Sequence, residues 1–159
     1  DTKGPGLARF CEFMALAENQ KEPKAKRDIA ILQLLFDLAL RASELTSLNL
    51  EDFNSTSSTL SICGKGKSQK ILLSIPDASK TALIEWIKIR GMQPGPLFIN
   101  FDRAKKGSRL TRHGLYSLIR KLGSILGIKA RPHGLRHLSI TEAIKIAQIN
   151  GYGLEEVLD

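Results

Sequence analysis

The sequence predicts a mainly α-helical domain carrying one small antiparallel sheet, an α+β fold, and three observations support this. Apolar residues recur at helical spacing over residues 7–48. The period then changes to two on either side of a glycine-bearing turn. Helical spacing returns from residue 77 onward. The 159 residues are 42% hydrophobic, enough for one domain with its own core.

Residues 7–17 place Leu7, Phe10, Cys11 and Met14 on one helical face and predict a first helix. Residues 19–26 are polar, contain Pro23 and predict a loop. Asp28 suits the start of the next helix, where a carboxylate meets unpaired N–H groups and the positive end of the dipole. That helix runs to about Leu40, is apolar almost all round and so is expected to be central. Arg41-Ala42-Ser43-Glu44 forms a tight connection into a short helix through Leu48. Leu60 and Ile62 alternate with Thr59, Ser61 and Cys63, and Ile71, Leu73 and Ile75 alternate with Leu72 and Ser74. With Gly64-Lys65-Gly66-Lys67-Ser68-Gln69 between them, the two runs predict a β-hairpin. Pro76-Asp77 opens a helix that ends at Gly91. Leu97-Phe98-Ile99 is expected as a short third strand, and residues 102–109 as a polar basic loop. Thr111 can cap a helix through Leu126, with Gly127 at its end. Arg131-Pro132-His133 leads into a further helix ending near Asn150-Gly151, and Leu154 begins another.

Composition excludes several classes. No apolar run approaches the roughly 18–20 residues of a membrane span, and no basic-then-apolar leader opens the chain. Cys11 and Cys63 form no CxxC pair, and together with three histidines they show no metal-ligand spacing. They read as two buried free thiols of a cytoplasmic protein. The net charge is +8, unevenly spread. Residues 65–136 hold sixteen Lys and Arg against three acids, while the rest holds eight bases and thirteen acids. A basic half of this kind is the footprint of a polyanionic partner, with a solvated basic surface as the bland alternative. Two Tyr, one Trp and six Phe supply no platform for stacked single-stranded bases, so single-stranded RNA recognition is disfavoured.

His133-Gly134-Leu135-Arg136-His137 is the sharpest local feature. Near a helix start, positions three apart share a face, so His133 and Arg136 can address one phosphate, the arginine gripping oxygens and the histidine managing a proton. The same residues also occur as a polar helix face, and His137 reads as a packed helix residue. Arg41 follows an apolar helix, so its stem is expected against the core. It either pairs with Glu44 or waits for a phosphate. Lys65 stands between two glycines at the hairpin turn, as an ordinary turn residue or as a lysine brought close to a ligand. The GxxxxGK[ST] spacing of a P-loop is absent.

Leu40-Arg41-Ala42-Ser43-Glu44-Leu45, Gly64-Lys65-Gly66 and His133-Gly134-Leu135-Arg136-His137, in this order and spacing, resemble the catalytic domain of the tyrosine recombinase (phage integrase) family from about Lys26 to the end. The resemblance implies that Arg41 and Arg136 clamp the scissile phosphate, that Lys65 is the general acid for the leaving 5′ oxygen, and that His133 positions the phosphate. It implies supporting roles for Glu44 and His137. Lys67, Lys70, Lys105, Lys106, Arg109, Arg112 and Arg131, in loops or at helix starts, are the expected DNA-backbone contacts. The resemblance further implies chemistry without metal or cofactor, through a 3′-phosphotyrosine. It implies a parent that is tetrameric on synapsed DNA and nucleoid-associated. Tyr116 precedes the histidine–arginine motif and Tyr152 follows Arg136 too closely, so the nucleophile is expected beyond Asp159. On that reading residues 1–159 are one incomplete catalytic domain, monomeric alone, without the family's N-terminal DNA-binding domain. Ala39 stands where many relatives have glycine. A DNA-binding or regulatory relative without chemistry and a type IB topoisomerase-like relaxing enzyme are the alternatives.

Overall fold

The structure, a computed structural model, describes residues 4–63 and 69–127. Helix α1 (Gly4–Glu18) buries Phe10, Phe13 and Ala17, one face at helical spacing. Cys11 falls one position off that stripe and is exposed, and Cys63 is half-buried, which corrects the expectation of two buried thiols. Neither forms a disulfide.

Helix α2 (Lys24–Leu38) is the central element, packed on α1 and on α4 (Asp77–Arg90). The Phe10 and Phe36 rings stack at 4.0 Å between α1 and α2. α2 starts at Lys24, immediately after Pro23, so Asp28 lies a turn inside the helix. There it is fully buried against Arg27, with 2.8 Å from Asp28 Oδ1 to Arg27 Nε. Gln20 Nε2 also donates to Asp28 Oδ2 at 2.9 Å. Asp28 therefore neutralises a buried arginine and does not cap the helix.

After α2 the chain reverses at Ala39, whose φ of 54° is left-handed, its N–H donating to Leu35 O. Glycine adopts that conformation without steric cost, so Ala39 carries a penalty here that glycine would not. Leu40 plugs the core, and the short helix α3 (Ala42–Thr46) begins at once.

The sheet has three antiparallel strands in the order β1 (Phe53–Asn54), β2 (Thr59–Cys63), β3 (Lys70–Ser74). β2 and β3 pair from Thr59↔Ser74 to Cys63↔Lys70, the expected hairpin. The third strand differs from expectation. It is the two-residue β1, led in by a 3-10 turn (Leu50–Asp52), while residues 97–99 join no sheet. Their backbone groups bond to Leu48 O and Leu110 N, and Leu97 O accepts from Trp86 Nε1 at 2.8 Å. Leu97 and Phe98 are buried as a strand's residues would be, but inside a loop crossing under α4. Helix α5 (Arg112–Ile125) is capped by Thr111, whose Oγ1 accepts from Gly114 N, and it packs on α1 and α3. No helix among the described residues is long and apolar enough to cross a membrane.

Candidate functional site

The corner between α2 and α3 places Arg41. Its backbone is extended, and its N–H donates to Glu44 Oε1 at 2.7 Å. Glu44 stands three residues into α3 and satisfies a backbone donor that a helix start leaves unpaired. The corner is thus locked by Glu44 through the main chain. The Arg41 side chain is exposed, contrary to the expectation of a stem laid against the core. Leu40 takes the buried position instead, because the left-handed turn at Ala39 points it inward.

α3 packs against β2, so the Arg41 corner and the hairpin are neighbours in the fold. Lys65 and Lys67 lie in residues 64–68, outside the described residues. At the base of the hairpin, Lys70 pairs with Cys63 in the ladder and its ammonium donates to Asp52 Oδ1. That hydrogen bond holds the Lys70 pKa above its ordinary value. His133, Arg136, His137 and Arg131 also lie outside the described residues.

The basic half of the chain divides by partner. Arg109 NH1 donates to Thr46 O at 2.9 Å and Leu48 O at 3.0 Å, and its NH2 to Asn49 Oδ1. The buried Arg90 donates to the carbonyls of Pro96, Gly91 and Gln93, and desolvation pushes its pKa down. Lys88 pairs with Glu85 at 2.9 Å, and that hydrogen bond lowers the Glu85 pKa. Arg112, Lys106, Arg120 and Lys121 are exposed. The Lys105 side chain lies outside what the structure describes.

Arg120 and Lys121 were not among the sequence-derived contacts. The signal was there for Arg120, which the helical period puts on the side of α5 away from Leu115, Leu118, Ile119 and Leu122, with Arg112 and Lys121 flanking it on either side. The Arg120 guanidinium lies 4.7 Å from the Tyr116 ring centroid. Tyr116 itself is buried, its ring packed in the core. Beside α5 a cleft of about 580 Å³ is lined by Lys24, Arg27, Asn100, His113 and Lys121.

Comparison with known proteins finds relatives over most of the chain. The Phage integrase family model matches residues 9–148. A tyrosine recombinase of Synechocystis is 38% identical over 126 residues, covering 77% of this chain and 40% of that protein. One of Synechococcus elongatus is 35% identical over 149 residues, covering 91% and 46%. Tyrosine recombinase XerC of Actinobacillus pleuropneumoniae is 31% identical over 137 residues, covering 82% and 42%. The chain therefore spans less than half the length of these relatives. The crystal structure of XerA recombinase superposes with a TM-score of 0.65 at 21% identity, over 95% of this chain and 53% of that one, and shares the fold.

Proposed function

The chain belongs to the phage integrase family, and from that premise we propose that it is the catalytic part of a protein that cuts and rejoins double-stranded DNA at specific sites. A tyrosine oxygen attacks the scissile phosphorus and the 5′ oxygen leaves, forming a 3′-phosphotyrosine. A 5′ hydroxyl from a partner strand then attacks that phosphorus, and the tyrosine leaves with its proton restored. The covalent link conserves the phosphodiester energy, so no cofactor is required. Arg41 and Arg136 clamp the non-bridging oxygens and stabilise the charge that grows in the five-coordinate transition state. Lys65 delivers the proton to the leaving 5′ oxygen, and His133 orients the phosphate. Glu44 supports Arg41 from the main chain. Tyr116, buried in the core, is not that nucleophile. The parent acts as four subunits on two duplexes in the nucleoid-bearing cytoplasm.

One observation carries this reading. Arg41 is held at an exposed corner by a carboxylate that bonds its backbone, on a helix packed against the hairpin that contains Lys65.

Covalent trapping tests it. The full-length parent is mixed with a nicked suicide duplex bearing its site and resolved in SDS. A protein–DNA band that disappears in Arg41→Ala is expected. Salt-sensitive DNA binding without any band would replace this reading with that of a binding module lacking chemistry.

A further inference from the structure

We propose that Arg109, Asn49, Asp52 and Lys70 form a positioning network that ties the base of the β2–β3 hairpin to the C-terminal end of α3, so that the Arg41 corner and the hairpin base are set by one frame. The inference deepens the recombinase reading and rests on it for its consequence, but its geometry stands apart from it.

α3 has five residues, and helix ends of this kind leave carbonyls without intrahelical partners. Arg109 NH1 bridges two carbonyls at that end, those of Thr46 and Leu48. Its NH2 reaches the Asn49 side-chain oxygen. The Asn49 N–H then donates to Asp52 Oδ2 at 2.8 Å. Asp52 is 6% exposed, and its other oxygen accepts from Lys70 Nζ. Both oxygens of a buried carboxylate are thus spent, one facing the α3 side and one facing β3. Within α3, Thr46 Oγ1 closes on Ala42 O at 2.9 Å, beside Arg41.

Two features make this a frame and not a chance set of surface contacts. The partners come from segments sixty residues apart, Arg109 against residues 46–49. The links from Arg109 and Lys70 carry full charges, the stronger class of hydrogen bond. β3 lies at the sheet edge with Ile71 and Leu72 exposed, and Lys70, its first residue, is the ladder residue that directly follows the hairpin connection. Its ammonium on Asp52 fixes the start of β3, at which the connection that contains Lys65 arrives. Arg109 and Lys70 are then positioning residues, not DNA-backbone contacts.

Amide hydrogen exchange on this chain tests the network without any activity. Arg109 touches no residue of β3 among its hydrogen bonds, so Arg109→Gln should speed exchange of the β3 amides as well as those of residues 45–48, with the α4 amides unchanged. Lys70→Met should speed β3. Unchanged β3 exchange in Arg109→Gln overturns the network, and so does an equal rise in α4, which marks global loosening. The catalytic consequence is read in the full-length parent on two suicide duplexes, one ordinary and one with sulfur in place of the leaving 5′ oxygen. A thiolate leaves without an acid, its pKa being near about 8.5. Lys70→Met should slow cleavage of the oxygen substrate by about tenfold or more and of the sulfur substrate by less than about twofold. Equal slowing of both, or of neither, overturns the positioning role. A wild-type parent that cleaves neither substrate refutes the recombinase reading, and the exchange result then decides the network alone.

Discussion

Cations of the basic half proposed to touch DNA can be separated from those that hold the fold, because the two kinds respond to different assays. Arg112 and Arg90 make the sharpest pair. Each removes one positive charge from a chain of net +8 when substituted, so any effect of total charge cancels between them. Arg112 is exposed in the first turn of α5. Arg90 is 7% exposed, and its guanidinium serves three carbonyls, with Nε and NH2 on Pro96 O at 2.9 and 2.7 Å and NH1 on Gly91 O and Gln93 O at 2.7 and 2.8 Å. Each phosphate neutralised contributes about −0.9 to the slope of log affinity against log salt. Arg112→Ala should therefore flatten the slope by about 0.9 and change stability by less than about 0.5 kcal/mol. Arg90→Met should leave the slope as it was and cost about 3 kcal/mol, since three inward carbonyls lose their donors together. Fluorescence anisotropy of a labelled duplex between about 50 and about 200 mM salt gives the slopes, and urea unfolding followed by circular dichroism gives the stabilities. The reasoning fails if Arg112→Ala keeps the full slope, or if Arg90→Met loses slope while keeping its stability.

Two further outcomes follow from the core. Arg27→Met strands the buried Asp28 carboxylate and should cost about 3–5 kcal/mol in urea unfolding, most of it recovered when Asp28→Leu is added; a single-variant loss under about 1 kcal/mol would refute the pair's role. Ala39→Gly removes the left-handed penalty at the α2–α3 reversal and, after the entropy of a freer unfolded chain, should stabilise by about 0.5–1 kcal/mol, read as a raised urea midpoint at unchanged slope.

The helices and the hairpin were legible because burial imposes a period on the chain. The helical period over residues 7–17 gave the first helix, although the buried face is Phe10, Phe13 and Ala17 and not the expected Leu7, Phe10, Cys11 and Met14, while Leu60 and Ile62 alternate with their neighbours as expected. β1 was not legible, since two residues carry no period at all. Leu97 and Phe98 misled for the converse reason: burial makes a run apolar, but only hydrogen-bond partners make it a strand, and theirs are Leu48 and Leu110. Asp28 misled because an acid near a helix start and an acid buried against the preceding arginine look alike in one dimension.

The same limit governs the site. A sequence displays the charge of Arg109, Lys70 and Arg112 equally, and says nothing of which acceptors each will meet. Folding sorts them: the first closes the end of α3, the second closes on Asp52, and the third stays in solvent. Arg41 shows the reverse case. Its pairing with Glu44 was weighed as the structural alternative to a phosphate role, yet the bond Glu44 makes to the Arg41 backbone serves both. Capping a short helix is what presents an arginine at a corner, because a fixed main chain lets a long side chain meet a phosphate while losing less freedom on binding. On the proposed role of Arg41, support and chemistry would be one arrangement at that residue, and a motif in which arginine precedes glutamate by three is the sequence trace of the support.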